Sequence, residues 1–228
     1  MITKQKLLII LLSFTVIFSL GLSAGAENIA GNGDFSSDFL RVEEAENRGD
    51  GNYVTDNNWL FLENAGSAAA EIEDGMFKVD ITDGGSNSYS VQLLQAPLKI
   101  EKGYKYRVEF EAAASKKREI EIKIGGTADR GWTAYNNGSG ESGGIVKEIS
   151  QEQKSYQFEF VMKEDTDAKA RFEFQLGKDS GKVELDNISL SRVGEASAEE
   201  MAESPKKKWV YDKPFFFIFN VAVGGNLG

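Results

Sequence analysis

The stretch Tyr104–Glu111, YKYRVEFE, decides the fold, because aromatic or aliphatic residues alternate in it with charged ones. Successive side chains of a β-strand point to opposite faces, so this alternation predicts a strand with one buried and one wet face. The same period of two recurs further along, in 119–124, 156–162 and 171–176. Turn-forming residues lie between such stretches, at Asp83–Gly85, Glu101–Gly103, Gly138–Gly144 and Asp179–Gly181. Many short strands at this spacing predict an all-β antiparallel β-sandwich of jelly-roll type.

One predicted strand changes phase in its middle. Val183 and Leu185 are apolar at odd positions, whereas Ile188 and Leu190 are apolar at even positions. A shift of one residue would turn every later side chain to the other face, so the change predicts a β-bulge at Asp186–Asn187. Such a bulge would also redirect the carboxylate of Asp186.

Composition excludes several functions. The 228 residues contain no Cys and no His, which excludes disulfides, Ser–His–Asp catalysis and His or Cys zinc sites. The 36 acidic residues outnumber the 26 basic ones, for a net charge of −10. This charge argues against nucleic acid or an anionic membrane as a partner. Carboxylates are the only credible catalytic groups that remain.

The two ends of the chain differ from the middle. Residues 1–26 combine two lysines, a nearly continuous apolar run and an A-x-A site, which predicts a secretory signal peptide and a secreted protein. An uncleaved membrane anchor is the alternative, although the run is short for a span. Residues 27–193 form the predicted sandwich, and the polar residues 194–208 form a predicted linker. Residues 209–228 include FFFIFNVAV, a strand that requires burial on both faces.

The segment Glu184–Ser189 is a candidate catalytic motif. It resembles the E-x-D-x-x-E signature of glycoside hydrolase family 16, in which the first Glu is the nucleophile and the last is the acid/base. Ser189 occupies the last position and cannot protonate a leaving group. The segment is better explained as the closing strand of the sandwich, so we expect no enzymatic activity from it.

Sugar binding is the better prediction. Neutral sugars are bound by exposed aromatic rings that stack on C–H faces and by amide, guanidinium or carboxylate groups that hydrogen-bond to hydroxyls. Aromatic candidates flank polar or Gly-rich loops: Trp59, Tyr89, Trp132 and Tyr135. Polar candidates lie on predicted strands: Gln92, Glu121, Arg171 and Gln175. Core packing is the alternative for Trp59, and a plain solvated sheet face is the alternative for the polar set.

Residues 28–193 resemble carbohydrate-binding module family 4, within the family 4/9/16/22 group of jelly rolls. The matching stretches are Asn32–Phe35, Asp74–Val79, Gly85–Leu93, Leu98–Tyr106, Phe172–Gly177 and Leu185–Leu190. The resemblance implies a cleft that binds a single β-glucan chain. By motif position it assigns sugar contacts to Trp132, Tyr135, Arg171, Gln175 and Glu121. Tyr89 and Gln92 fall where family members often place Trp and Gln.

The same resemblance implies a structural Ca²⁺ site. Its ligands would be Asp34, a carbonyl near Gly85 and Asp186, with Ser36 where relatives often carry a Glu. Asp186 is also the residue that the predicted bulge redirects. Calcium prefers several oxygens from carboxylates and backbone carbonyls, so the site would join the chain ends without taking part in catalysis.

The tail carries a second resemblance. Trp209–Asn226 is similar to a late strand of family 16 laminarinases, F-D-x-P-F-F-x-I-x-N-x-A-V-G-G. It implies a laminarinase remnant and favours β-1,3-glucan (laminarin). The expected function is non-catalytic glucan binding that targets an associated or parental glucanase. A working endo-β-glucanase and a cell-surface adhesion or assembly module are the alternatives. We expect a monomer unless the tail strand mediates pairing, and no membrane contact after signal cleavage.

Overall fold

The computed structural model describes residues 26–202. Residues 1–25 of the predicted signal peptide, part of the predicted linker and the laminarinase-like tail lie outside the described residues. The strands are, in chain order, β1 Glu27–Asn28, β2 Glu46–Asn47, β3 Tyr53–Val54, β4 Leu60–Glu63, β5 Ser67–Glu73, β6 Met76–Asp83, β7 Val91–Ile100, β8 Tyr104–Ala114, β9 Arg118–Gly125, β10 Ile145–Ile149, β11 Lys154–Val161, β12 Asp167–Gln175 and β13 Gly181–Glu195. Between residues 26 and 202, no helix is both long and apolar enough to span a bilayer.

The strands form two main antiparallel sheets, which confirms the predicted sandwich. One sheet has the order β11-β8-β13-β6-β5, and β1 pairs with β13 as a sixth strand. The second sheet has the order β10-β9-β12-β7-β4. Strands β2 and β3 form a separate hairpin. The sheets pack face to face, as Phe110 of β8 and Phe174 of β12 show with ring centroids 5.1 Å apart.

The core lies between the inner faces of the two sheets. Alternation along β12 directs Phe172 and Phe174 inward, where both are fully buried. Trp59 joins them at 0 % exposure, with its ring edge-on to both phenylalanines. Its indole Nε1 donates a hydrogen bond to the Asn32 carbonyl at 3.1 Å. The assignment of Trp59 to sugar binding is therefore wrong, because the ring has no surface left for a ligand.

The predicted bulge in β13 is confirmed. Asp186 pairs with Glu111 of β8, but the next register pair joins Ser189 to Glu109. Asn187 adopts a positive φ of 50° at this point. The Ile188 amide donates to the Gly33 carbonyl at 2.9 Å, so the bulge holds the N-terminal segment against the closing strand.

The closing strand continues to Glu195, two residues past the predicted module boundary, and pairs there with Tyr104. A one-turn helix, α1, follows at Ala198–Met201. Ser197 caps it: its hydroxyl accepts from the Glu200 amide at 3.2 Å, and the Glu200 carboxylate accepts from the Ser197 amide at 2.9 Å. Glu200 also pairs with Lys105 at 2.5 Å, which attaches this turn to the first main sheet.

Candidate functional site: a cleft on the five-stranded sheet

A cleft of about 650 Å³ lies on the outer face of the five-stranded sheet. Its floor is formed by β7, β9 and β12, and its walls are formed by residues from five parts of the chain, at 51–53, 62–64, 89, 132 and 141–142. The residues that line it are Gly51, Tyr53, Leu62, Asn64, Tyr89, Gln92, Lys123, Trp132, Glu141, Ser142, Arg171, Glu173 and Gln175. Five of the eight predicted sugar-binding residues are among them: Tyr89, Gln92, Trp132, Arg171 and Gln175.

Strand β12 supplies the centre of the floor. Its inward residues are phenylalanines, so Arg171, Glu173 and Gln175 point outward together. In register, Gln175 faces Gln92 on one side and Glu121 on the other. Glu173 faces Lys123 of β9 in the next row. The outer face of this sheet is therefore a polar patch, and the wall loops leave each of these side chains less than a tenth exposed.

Arg171 connects the floor to an aromatic wall. Its Nη2 donates to Gln92 Oε1 at 3.1 Å, and its Nη1 donates to the Gly51 carbonyl at 3.4 Å. The guanidinium carbon lies 5.5 Å from the Trp132 ring centroid and 5.9 Å from the Tyr53 ring centroid. A guanidinium at these distances is attracted to both rings, so Arg171 positions two aromatic side chains at the rim.

Trp132 is the most exposed aromatic side chain of the described residues, at 44 %. A Cβ on Gly51 would lie 2.3 Å from Trp132 Cη2, so the ring packs against a backbone that tolerates no side chain. Gly51 also has a φ of +80°, which only glycine adopts without strain. The rest of the indole is therefore open to a ligand while its edge is held in place.

Tyr89 and Gln92 form another part of the wall. Gln92 Nε2 donates to the Tyr89 carbonyl at 2.8 Å, and Tyr89 is 37 % exposed. The Ser88 hydroxyl donates to Gln175 Oε1 at 2.8 Å and so joins this loop to the floor. The exposed ring of Tyr89 thus stands beside a floor in which the amides of Gln92 and Gln175 are held by hydrogen bonds at both their oxygen and their nitrogen.

Glu121 has a different role from the predicted one. Its Oε1 accepts from the amides of Ser142 and Gly144 at 2.9 and 2.8 Å, and its Oε2 lies 3.0 Å from the Ser88 hydroxyl. It is 3 % exposed and does not line the cleft. The assignment of Glu121 to sugar contact is therefore wrong, because the carboxylate is used to hold the 138–144 loop over the sheet.

Tyr135 is also not a cleft residue. It is 2 % exposed, and its hydroxyl donates to Asp167 Oδ2 at 2.6 Å. Burial, followed by the hydrogen bond to this carboxylate, raises the pKa of Tyr135 well above its ordinary value. Its assignment to sugar binding is wrong, because the loop that exposes Trp132 turns Tyr135 inward.

Sequence reasoning missed other lining residues. Lys123 sits at an alternating position on its strand, a pattern that is typical of an ordinary solvated face. Tyr53 lies on a two-residue strand with weak periodicity. Alternation along one strand places Glu173 on the same face as Arg171 and Gln175, and the structure confirms that position.

The predicted calcium ligands come together only in part. The bulge brings Asp34 near Asp186. The pKa of Asp186 is raised by burial first and then by the negative charges of Glu111 and Asp34. Asp34 Oδ1 accepts from the amide and hydroxyl of Ser36 at 3.2 and 3.0 Å, and these bonds lower its pKa. Mutually repelling carboxylates suit a cation. Within residues 26–202, however, no group of three acidic side chains forms a metal cluster.

Gly85 does not belong to this set. Gly181 of β13 pairs with Ile81, and Leu185 pairs with Phe77. Gly85 therefore lies beyond one end of β6, while Asp186 lies past the other end. At the usual strand rise, the two are separated by about 25 Å. The assignment of Gly85 to a shared calcium site is wrong for this reason.

Residues 27–181 match the sequence model of a family described as a carbohydrate binding domain, which covers families 4 and 9 of these modules. The match spans more than half of the chain. The chain belongs to this family. The family 4/9 modules bind carbohydrate, so the cleft is the candidate carbohydrate site. No curated protein matches the chain.

Two solved structures that align at a TM-score above 0.5 share the fold of this family 4/9 module. A structure described as "CBM4 structure and function" aligns with a TM-score of 0.57 and 19 % identity, covering 71 % of this chain and 98 % of its own. A protein from Bacteroides thetaiotaomicron, proposed to bind sugar, aligns with a TM-score of 0.51 and 17 % identity, covering 73 % and 100 %. The second N-terminal cellulose-binding domain of Cellulomonas fimi β-1,4-glucanase C aligns at 0.46 and 20 %, covering 60 % and 86 %.

Proposed function

We propose that this family 4/9 module is an exported, non-catalytic domain that binds a neutral β-glucan, with laminarin-type β-1,3-glucan as the preferred polymer. The observation that carries the proposal is the arrangement of the cleft, in which exposed rings stand over a hydrogen-bonding floor. Trp132 and Tyr89 present apolar surface, and the floor presents the amides of Gln92 and Gln175. A sugar ring has apolar C–H faces and a rim of hydroxyls that match these two surfaces.

Two charge pairs of the cleft are neutral within themselves, which is compatible with an uncharged polymer. Arg171 Nε lies 2.9 Å from Glu173 Oε1, so these two floor charges offset each other. Glu141 at the wall is paired with Lys178 at 2.9 Å. The net charge of −10 of the whole chain disfavours a polyanion.

The same arrangement argues against glycosidase activity. Hydrolysis needs two carboxyl groups that face one bond, one of which must carry a proton. Glu173 pairs with Arg171 at 2.9 Å and accepts from Gln175 Nε2 at 2.8 Å, so its carboxylate is engaged within the floor. Glu184, the first residue of the candidate catalytic motif, is on β13 of the opposite sheet, away from the cleft. We therefore propose that the module positions an associated glucanase on its polymer.

We retain calcium as a proposed structural ligand at Asp34 and Asp186 alone. The support is the contact between the Asp34 segment and the bulge, in which the Ile188 amide donates to the Gly33 carbonyl at 2.9 Å. Burial first, and then the charges of Glu111 and Asp34, raise the pKa of Asp186 there. A bound cation would remove this repulsion and would fasten the N-terminal segment to the closing strand. Ser36 contributes by orienting Asp34 through its amide and hydroxyl.

Affinity electrophoresis in gels that contain laminarin, hydroxyethylcellulose or xylan tests the proposed function. We expect strong retardation in laminarin, weaker retardation in the other two gels, and no release of reducing sugar from laminarin. Migration that is equal in all gels and in a gel without polysaccharide would contradict glucan binding. Retardation in xylan or hydroxyethylcellulose alone would contradict the linkage preference but preserve the carbohydrate site.

A further inference from the structure

Strand β11 has one edge that no described strand covers. It stands at the end of the order β11-β8-β13-β6-β5, so within residues 26–202 only β8 pairs with it. The Met162 amide donates to the Tyr104 carbonyl at 3.0 Å, and these two residues continue the register of β11 with β8. In an antiparallel pair, residues that bond to the partner strand alternate with residues whose backbone faces away. The free edge of β11 therefore presents the N–H and C=O groups of Ser155, Gln157, Glu159 and Val161.

Side chains near this edge support the assignment. Lys147 Nζ of β10 donates to the Gln157 carbonyl at 3.5 Å, so this carbonyl points away from β8. Tyr156 and Phe158 pack against the core beside the same edge and are only partly buried. Strand backbone that lacks a partner, next to apolar surface, is a template for pairing with a further strand.

The described chain ends beside this edge. After β13, which pairs with the opposite side of β8, helix α1 crosses toward β11 and is held there by the pair between Glu200 and Lys105. Lys163, two residues past the end of β11, donates to the Ala202 carbonyl at 2.9 Å. The last described residue is thus fixed near the Val161 end of the free edge. A groove of about 410 Å³ lies at this end of β11.

Residues 203–228, which lie outside the described residues, contain one segment suited to an added strand. Phe215–Val223 has nine residues and no charge, and β11 has eight residues. The even positions of this segment include Asn220 and Ala222, whereas its odd positions are all large and apolar: Phe215, Phe217, Phe219, Val221 and Val223. Residues 203–214 can span up to about 40 Å, which exceeds the roughly 26 Å length of β11.

We propose that Phe215–Val223 pairs with the free edge of β11 as an added antiparallel strand of the first main sheet. The chain arrives at the Val161 end, so the direct path along β11 runs opposite to it. The backbone of the segment then bonds to the outward N–H and C=O groups of β11, and its odd-numbered face covers Tyr156 and Phe158. Burial of this face contributes the apolar stabilisation that the segment lacks in water, and pairing removes an aggregation-prone edge.

Hydrogen exchange measured by NMR on the full chain, after removal of the predicted signal peptide, tests the pairing. The even-numbered amides of β11 bond to β8 and report that the strand stays folded. The outward amides of Ser155, Gln157 and Glu159 are protected only when the free edge is covered. Phe219→Asp places a charge on the face that we expect to pack, so exchange of these amides should become at least tenfold faster than in wild type. Asn220→Asp is the matched control, because it adds the same charge to the opposite face and should leave the exchange rates unchanged.

The possible results separate this pairing from other occupants of the edge. Equal exchange of the outward amides in wild type and Phe219→Asp would overturn the proposal. Protection that disappears on dilution, together with a dimer in sedimentation velocity, would place a second copy on the edge and would also overturn it. Equal acceleration in Phe219→Asp and Asn220→Asp would overturn the assignment of the packed face. The cleft lies on the other sheet, so laminarin binding should be the same in all three proteins, and its absence from all of them would contradict the proposed function alone.

Discussion

Replacing Trp132 by alanine should remove most glucan binding while leaving the fold intact. Trp132 is 44 % exposed, which corresponds to roughly 110 Å² of the 250 Å² that a large aromatic side chain can bury. Covering all of this area with sugar contributes about 2.7 kcal/mol at 25 cal/mol per Å², and covering half contributes about 1.4 kcal/mol. The expected loss of affinity for laminarin oligosaccharides is therefore about 10- to 100-fold by calorimetry.

Trp59→Ala is the control for this variant, because it removes the same side chain from a site with 0 % exposure. Loss of a fully buried Trp costs about 3–5 kcal/mol, which lowers the melting temperature by roughly 6–20 °C in a domain of this size. Trp132→Ala should melt within a few degrees of wild type. Affinity of Trp132→Ala within twofold of wild type, with the fold intact, would refute the assignment of the cleft.

Three further outcomes are expected. Gly51→Ala should weaken laminarin binding several-fold in calorimetry, because its Cβ displaces Trp132. Gly49→Ala is the control: it has a similar φ but open surroundings, so it should share only the backbone strain of about 1–2 kcal/mol. Equal laminarin binding by the two variants would contradict the role of Gly51 in positioning Trp132. The raised pKa of Tyr135 means that the folded protein keeps a proton on this hydroxyl that the unfolded chain loses above about pH 10, so the free energy of unfolding should fall as the pH rises further. Tyr135→Phe should show a smaller fall in alkaline denaturant titrations, although it is less stable at neutral pH. Parallel curves for the two proteins would exclude Tyr135 as the responsible group. Chelator should lower the melting temperature without abolishing the fold, and Asp186→Asn should remove the chelator effect; a calcium-independent melting curve would count against the site.

The two-layer fold could be predicted because it depends on local periodicity. Residues 104–111 alternate strictly, and β8 indeed buries one side of that stretch against the opposite sheet. The bulge at Asp186–Asn187 could be predicted for the same reason, since a phase change in a strand with one buried face needs one extra residue. Each inference required only the chain's own order of apolar and polar side chains.

The candidate site could be predicted less completely. Trp59 and Trp132 both follow polar loops, yet Trp59 is buried and Trp132 is exposed. Trp132 and Tyr135 share one loop, yet Tyr135 is buried as well. The difference depends on where each loop meets the sheet, which no local pattern encodes. Glu121 matched a sugar-binding position, but the folding back of the 138–144 loop converted its carboxylate into an anchor for backbone amides.

The order of residues along each strand by itself determined which side chains leave the core, since a strand directs neighbouring side chains to opposite faces. It therefore placed Arg171 and Gln175 on one outer face, with Glu173 between them. Only the tertiary structure decided that this face is covered by distant loops and becomes a cleft rather than a solvated surface. The physical reason is that burial of a polar group depends on chain segments far away in sequence, as the bond from Arg171 to Gly51 illustrates.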